Sequence, residues 1–204
     1  MEYIATALET REIPYKDFTA YDTEDIACRF RQVIETEGPV VDDFLELKVL
    51  KSYSIFQRGS LIAPFLRGVL LSVGAVCTTQ IDCDGTEHLV FWPERFRGHE
   101  SEMEALEFDG YTDYRPSGQK DLMPEGTFRS IPDFPQIEVF NAMKAVLSDG
   151  NPIKKEELLT LTNHELGFLV KGRQIRLTLE LVLKAGIANG TFVHNRRGGT
   201  IRLR

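Results

Sequence analysis

Two stretches decide how this chain is read: VIETEGPVVDDFL at residues 33–45 and VLSDGNPIKKEEL at residues 146–158. They lie 113 positions apart and carry the same punctuation. Val33-Ile34 falls on Val146-Leu147, Pro39-Val40 on Pro152-Ile153, and Leu45 on Leu158. Extending the offset outward without a gap keeps the agreement. Arg58-Gly59 falls on Lys171-Gly172, Ile62 on Ile175, Leu66 and Leu70 on Leu179 and Leu183, Ala75 on Ala188, and Gly85 on Gly198. Apolar positions agree in class more often than polar ones, the pattern of two copies that share a core but not a surface.

Each copy reads as three helices and a hairpin. In the first, Ile26, Phe30, Val33 and Ile34 recur at helical spacing and predict a helix from Asp25 to Thr36. Gly38-Pro39 stops it, because proline lacks an amide donor and restricts the residue before it. Val40-Val41 reads as a short extended segment, and Asp42 as the N-cap of a second helix reaching Lys51. Ser60 is the expected N-cap of a third helix to Val73, with Ile62, Phe65, Leu66, Val69 and Leu70 facing inward. Val76–Ile81 and Glu87–Phe91 flank the turn signal Asp82-Cys83-Asp84-Gly85 and predict a hairpin. In the second copy the same elements are expected at 136–147, 154–164 and 172–188. Its hairpin runs from Thr191 to Leu203, with Asn195-Arg196-Arg197-Gly198-Gly199 at the tip.

This order is that of a winged helix-turn-helix. The expected fold is therefore α+β, mainly helical, with two tandem winged-helix-like modules related by an internal repeat. Residues 1–92 form the first, with an N-terminal extension whose Ile4, Leu8, Ile13, Tyr15 and Phe18 cover one face. Residues 93–131, rich in Gly, Pro, Glu and Asp and without sustained periodicity, read as an acidic linker. In that linker Leu106, Phe108, Tyr111 and Tyr114 are apolar enough to pack on a module. Residues 132–204 form the second module.

Composition narrows the function classes. Of 204 residues 42% are hydrophobic and 27% charged, a globular balance. No apolar run approaches the roughly 18 residues that span a bilayer. Met1-Glu2-Tyr3-Ile4 lacks the basic start and apolar stretch of a secretion signal, so a cytoplasmic chain is expected. Cys28, Cys77 and Cys83 are odd in number and unmatched in spacing, so neither a disulfide nor a structural metal is expected. The acids at Asp42-Asp43, at Asp82/Asp84 and at Glu100/Glu102/Glu104 read as a cap pair, a turn and an exposed linker. His88, His99, His164 and His194 are scattered, with no nucleophile in a recognisable frame, and no glycine-rich loop is present to cradle phosphate. Trp92 reads as a core cap at the end of the first hairpin. No catalytic residue, metal or cofactor follows from the sequence, and the chain is not expected to be an enzyme in its own right.

The charge is distributed unevenly. Residues 1–92 hold 8 Lys/Arg against 15 Asp/Glu, residues 93–131 hold 5 against 9, and residues 132–204 hold 11 against 7. The acidity of the whole chain, net −7, thus hides a basic C-terminal third. Lys171, Arg173 and Arg176 fall at the start of the expected third helix of the second copy, Lys184 farther along it, and Arg196-Arg197 at the wing tip. Arg202 and Arg204 follow in the last strand. A recognition helix reads the major groove with its N-terminal residues while the wing approaches phosphates, and these are the places where cations serve. Double-stranded DNA is the partner expected for this copy. At the matching surface the first copy carries only Arg58 and Arg67, beside Pro64 and Gly68, and is expected to contact protein. The alternative is a protein–protein scaffold that binds no nucleic acid.

The chain also resembles a known domain family. The residues that carry the likeness are Ile34-Glu35-Thr36-Glu37-Gly38-Pro39-Val40, Arg58-Gly59-Ser60 with Ile62, Phe91-Trp92-Pro93, Ile131-Pro132, Glu156-Glu157-Leu158, Leu166-Gly167-Phe168, and Gly172 with Ile175. Together they resemble an uncharacterised domain at the C-terminal end of large bacterial helicase-like proteins, often beside a restriction-type nuclease domain. The likeness covers roughly residues 22–204. It implies the C-terminal piece of a longer DNA-processing protein and brings no catalytic residue with it. Ser60-Leu61-Ile62 departs from the pattern where a further arginine is expected, which weakens a nucleic-acid role for the first copy.

Overall fold

The computed structural model describes residues 5–117, 128–170 and 172–204. Helix α1 spans Thr23–Glu37 and is capped by Asp22, whose side chain accepts the Glu24 amide. Its Ile26, Phe30, Val33 and Ile34 are buried, and Gly38 ends it ahead of Pro39. Strand β1 (Val40–Val41) leads directly into α2 (Asp42–Lys51), and α3 covers Ile62–Ser72. Strands β2 (Val76–Ile81) and β3 (Glu87–Trp92) form the hairpin, and β1 adds to the far edge of β3 in an antiparallel sheet of order β1-β3-β2. The turn closes as its sequence suggests. Asp82 Oδ1 accepts the amides of Asp84 and Thr86 at 2.9 Å each, and Gly85 takes the left-handed conformation that glycine tolerates.

Among the described residues of 93–131 lie a 3₁₀ turn (Glu94–Phe96) and a five-residue helix, α4 (Glu100–Glu104), and a second 3₁₀ turn follows at Ile131–Asp133. Then come α5 (Gln136–Val146), β4 (Ile153–Lys154), α6 (Lys155–Glu165), α7 (Arg173–Ala188), β5 (Phe192–Asn195) and β6 (Thr200–Leu203). The second sheet is also antiparallel, in the order β4-β6-β5. The class is thus α+β. Helices α1 and α2 and strand β1 start at Thr23, Asp42 and Val40, and α5, α6 and β4 start 113 residues later at Gln136, Lys155 and Ile153. The hairpins break this offset. Val40 pairs with Phe91, whereas Ile153 pairs with Ile201, three residues short of the position the offset gives. The second hairpin is the shorter one, with strands of four residues against six.

Two expected helix caps are not observed. Asp42 is the first residue of α2, not its cap, and Val41 holds the cap position. The reason is that β1 delivers extended chain up to Val41, and the Asp42 carboxylate is drawn to partners on β3 and α3. Ser60 also fails to cap: α3 begins at Ile62 behind Leu61, with no side-chain cap.

Alternation along β3 explains how the halves join. Phe91 faces a core built from Phe18, Phe30, Leu45, Tyr53, Leu66 and Leu70. Its neighbours Val90 and Trp92 point the other way, as side chains on a pleated strand must. There they meet Met103, Leu106, Phe108 and Tyr111 of the segment 93–131 and second-half residues including Ile137, Phe140 and Leu183 in one continuous core. Trp92 is 1% exposed, and its Nε1 donates to Thr78 Oγ1 at 2.9 Å. At the N-terminus Phe18 is buried, Leu8 and Ile13 pack on the first core, Tyr15 is exposed, and Ile4 lies outside the described residues.

A buried ionic joint reinforces this packing. The Glu138 carboxylate on α5, fully buried, pairs with Arg115 and with Arg129, the latter at 2.8 Å. Arg115 also donates to the carbonyls of Glu37 and Pro39, the latter at 2.6 Å, which fastens the end of α1 to α5. Burial pushes the Glu138 carboxyl upward, but the two guanidiniums more than offset that and hold it below its ordinary range.

Candidate functional site

Helix α7 begins at Arg173 behind Gly172, whose backbone is extended and supplies no side-chain cap. Its first-turn amides therefore receive no cap from the N-cap side chain. Arg173, Arg176 and Lys184 are exposed, and their spacing of three and then eight residues, with Glu180 between, keeps them along one helical stripe. The stripe is not purely basic. Arg176 pairs with Glu156 on α6 at 2.9 Å and with Glu180 at 3.3 Å, and Lys155 pairs with Glu180 at 3.1 Å. Arg173, Lys184, Arg196 and Arg197 make no ion pair among the described residues. Lys171 lies outside them.

The hairpin turn is held by Asn195, whose Oδ1 accepts the amides of Arg197 at 3.1 Å and Gly198 at 3.3 Å. Arg196 and Arg197 consequently project into solvent. Lys155 links turn and helix, since its amide donates to Gly199 O at 3.2 Å while its Nζ reaches Glu180 on α7. Of the cations farther along β6, Arg202 and Arg204 are also exposed. Between α6 and α7 runs a groove of about 250 Å³ whose lining includes Glu156, Leu159, Asn163, Arg173, Ile175 and Arg176. Asn163 is 3% exposed. Its Nδ2 donates to Phe168 O, and its Oδ1 has no hydrogen-bond partner among the described residues. Beside the groove, Leu169 and Val170 are 77% and 71% exposed.

In the first half the arginines are committed elsewhere. Arg58 pairs with Asp43 and Glu46 at 2.5 Å each, and Arg67 pairs with Asp42 at 2.6 Å. Asp42 and Glu46 are each 1% exposed, and burial raises the Glu46 carboxyl even though Arg58 and Arg67 oppose it. Adding 113 to Asp42 and Arg67 gives Lys155 and Glu180. The same pair of positions thus holds an ion pair of reversed polarity in each half.

Scattered in sequence, His88 turns out to be the centre of the first-half cluster. Its Nδ1 lies 3.4 Å from Asp42 Oδ1 and 3.8 Å from Asp43 Oδ2, and its Nε2 lies 3.3 Å from Asp82 Oδ2. Pairing of Val41 with Val90 places the start of α2 beside this strand, and the Leu89 amide donates to Asp42 Oδ2 at 3.2 Å. The one available signal was alternation along β3, which puts His88 on the face of Val90 and Trp92. Burial raises the Asp82 carboxyl, but the amides of Thr86 and Asp84 and the His88 ring bring it below its ordinary range. The linker acid Glu104 accepts from the Thr79 amide at 3.1 Å and so anchors α4 to β2. Among the described residues no helix is long and apolar enough to cross a membrane. No protein-family model, curated protein or solved structure matches the chain.

Proposed function

We propose that the chain is a tandem pair of winged-helix-like modules, 1–92 and 132–204 around the segment 93–131, and that the second module contacts double-stranded DNA without catalysis. The helix, strand and sheet order of each half supports the winged-helix reading. The reversed ion pair at matching positions supports a duplicated origin. In this reading α7 is the recognition helix, the β5–β6 turn is the wing, and the acidic first module docks protein. The likeness noted in the sequence supports a place at the C-terminal end of a bacterial helicase- or nuclease-linked protein.

The carrying observation is the exposure of Arg173 and Arg176 at the start of α7 together with Arg196 and Arg197 on the β5–β6 turn. Phosphate contacts from such positions supply most of the affinity of a DNA-binding module. Fluorescence anisotropy with a labelled duplex at low salt tests it. Arg196→Glu with Arg197→Glu should weaken binding at least tenfold. Lys16→Glu with Arg31→Glu, an equal charge change on exposed first-half residues, should change it less than threefold. The protein-scaffold reading has its own observation in the exposed Leu169 and Val170. It takes precedence if wild type and wing variant are indistinguishable on duplex and single-stranded DNA.

A further inference from the structure

The His88 cluster supports a second kind of ligand, independent of DNA. Both ring nitrogens of His88 face carboxylates: Nε2 lies 3.3 Å from Asp82 Oδ2, and Nδ1 lies 3.4 Å from Asp42 Oδ1 and 3.8 Å from Asp43 Oδ2. His88 is 8% exposed and Asp42 1%, so little water reaches the gap to relieve the contact.

The spacing argues for a cation in that gap. The Nδ1 distances of 3.4 and 3.8 Å are long for hydrogen bonds, which cluster near 2.9–3.0 Å. The 3.4 Å separation suits two ligand atoms around one metal ion, since bonds of about 2.0–2.2 Å place neighbouring tetrahedral ligands roughly 3.3–3.6 Å apart, and the 3.8 Å separation is slightly wider than that range. The ligand atoms of Asp42, Asp43 and His88 all lie within 4.8 Å of one another. Each carboxylate is also oriented from behind. Arg67 and the Leu89 amide hold Asp42 Oδ2, the Asp43 amide donates to Asp42 Oδ1 at 2.9 Å, and Arg58 holds Asp43 Oδ1; Asp42 Oδ1 and Asp43 Oδ2 face His88. Asp82 on Nε2 provides the carboxylate–histidine support typical of metal-ligating imidazoles. Asp42, Asp43, Glu46 and Asp82 against Arg58 and Arg67 leave two negative charges, which a divalent ion neutralises. The Asp43 side chain is 41% exposed and marks the route in.

We propose that Asp42, Asp43 and His88 bind one divalent transition-metal ion, with water completing its coordination. One imidazole and two carboxylates suit zinc or manganese better than magnesium. The ion would join α2 to β3 and, through Asp82, to the first hairpin turn.

Isothermal titration of the chelator-stripped full chain with ZnCl₂ tests the site, with thermal melts run alongside. Wild type should take up one equivalent and melt higher when loaded. Cys28→Ser, which removes the exposed thiol, should behave as wild type. His88→Gln and Asp43→Asn should each lose at least tenfold in affinity, and Asp43→Asn, altered at a partly exposed carboxylate, should keep its metal-free melting point. No stoichiometric uptake, or uptake by both ligand variants equal to wild type, would overturn the proposal.

Discussion

The two halves use charge in opposite ways. In the first, Arg58 and Arg67 turn inward onto Asp42, Asp43 and Glu46, and His88 completes a largely buried cluster. In the second, Arg173, Lys184, Arg196 and Arg197 stay in solvent, and the pair at matching positions among the described residues, Lys155 with Glu180, has reversed polarity and more exposure. Halves of like element order thus differ in whether their cations hold the fold together or remain free for a ligand. Substitutions at matching positions should therefore separate stability from binding.

The largest stability effect is expected at the joint between the halves. Glu138→Gln removes the buried carboxylate shared by Arg129 and the half-buried Arg115, and removing one partner of a buried ionic group costs about 3–5 kcal/mol. The pH dependence follows from the lowered Glu138 carboxyl. Its stabilisation is complete above the ordinary value of 4.5 and is lost as pH falls through the lower folded-state value. Urea melts should show the gap between wild type and Glu138→Gln narrowing below about pH 4. A gap that stays constant to acid pH would mean that Glu138 contributes no charge-dependent stability.

A smaller effect distinguishes the paired positions. Arg67→Ala leaves the nearly inaccessible Asp42 carboxylate without its guanidinium and should cost about 1–3 kcal/mol. Its counterpart Glu180→Ala breaks two part-exposed pairs, with Lys155 and with Arg176, and water replaces the lost contacts, so less than about 1 kcal/mol is expected. Equal losses in chemical denaturation would erase the contrast between the halves.

How much of this the sequence discloses depends on the range of the interaction. The stop at Gly38-Pro39, the helical stripe of α1 and the Asp82–Gly85 turn are local, and periodicity with turn chemistry finds them. Asp42 misleads because a helix cap and a helix-first residue look alike until the partners on β3 and α3 are known. His88 is opaque for the same reason, since its neighbours come from a strand register set by Val41 and Val90. In the segment 93–131, the apolar character of Phe108 and Tyr111 suggests packing on a module, but they follow no period, so their partner Trp92 is not legible. On the basic face, the cations are visible in sequence. The ties of Arg176 to Glu156, 20 residues earlier, and to Glu180 are tertiary facts.

The most direct test of the account is the salt dependence of duplex binding by the full chain. If Lys171, Arg173, Arg176, Arg196 and Arg197 contact phosphates, log affinity should fall against log salt with a slope of about −4 to −5. Arg196→Glu with Arg197→Glu should make that slope shallower by about two while leaving the melting temperature unchanged to within about 2 °C. A slope near zero, or one the wing variant leaves unaltered, would contradict the assignment of the second half to DNA.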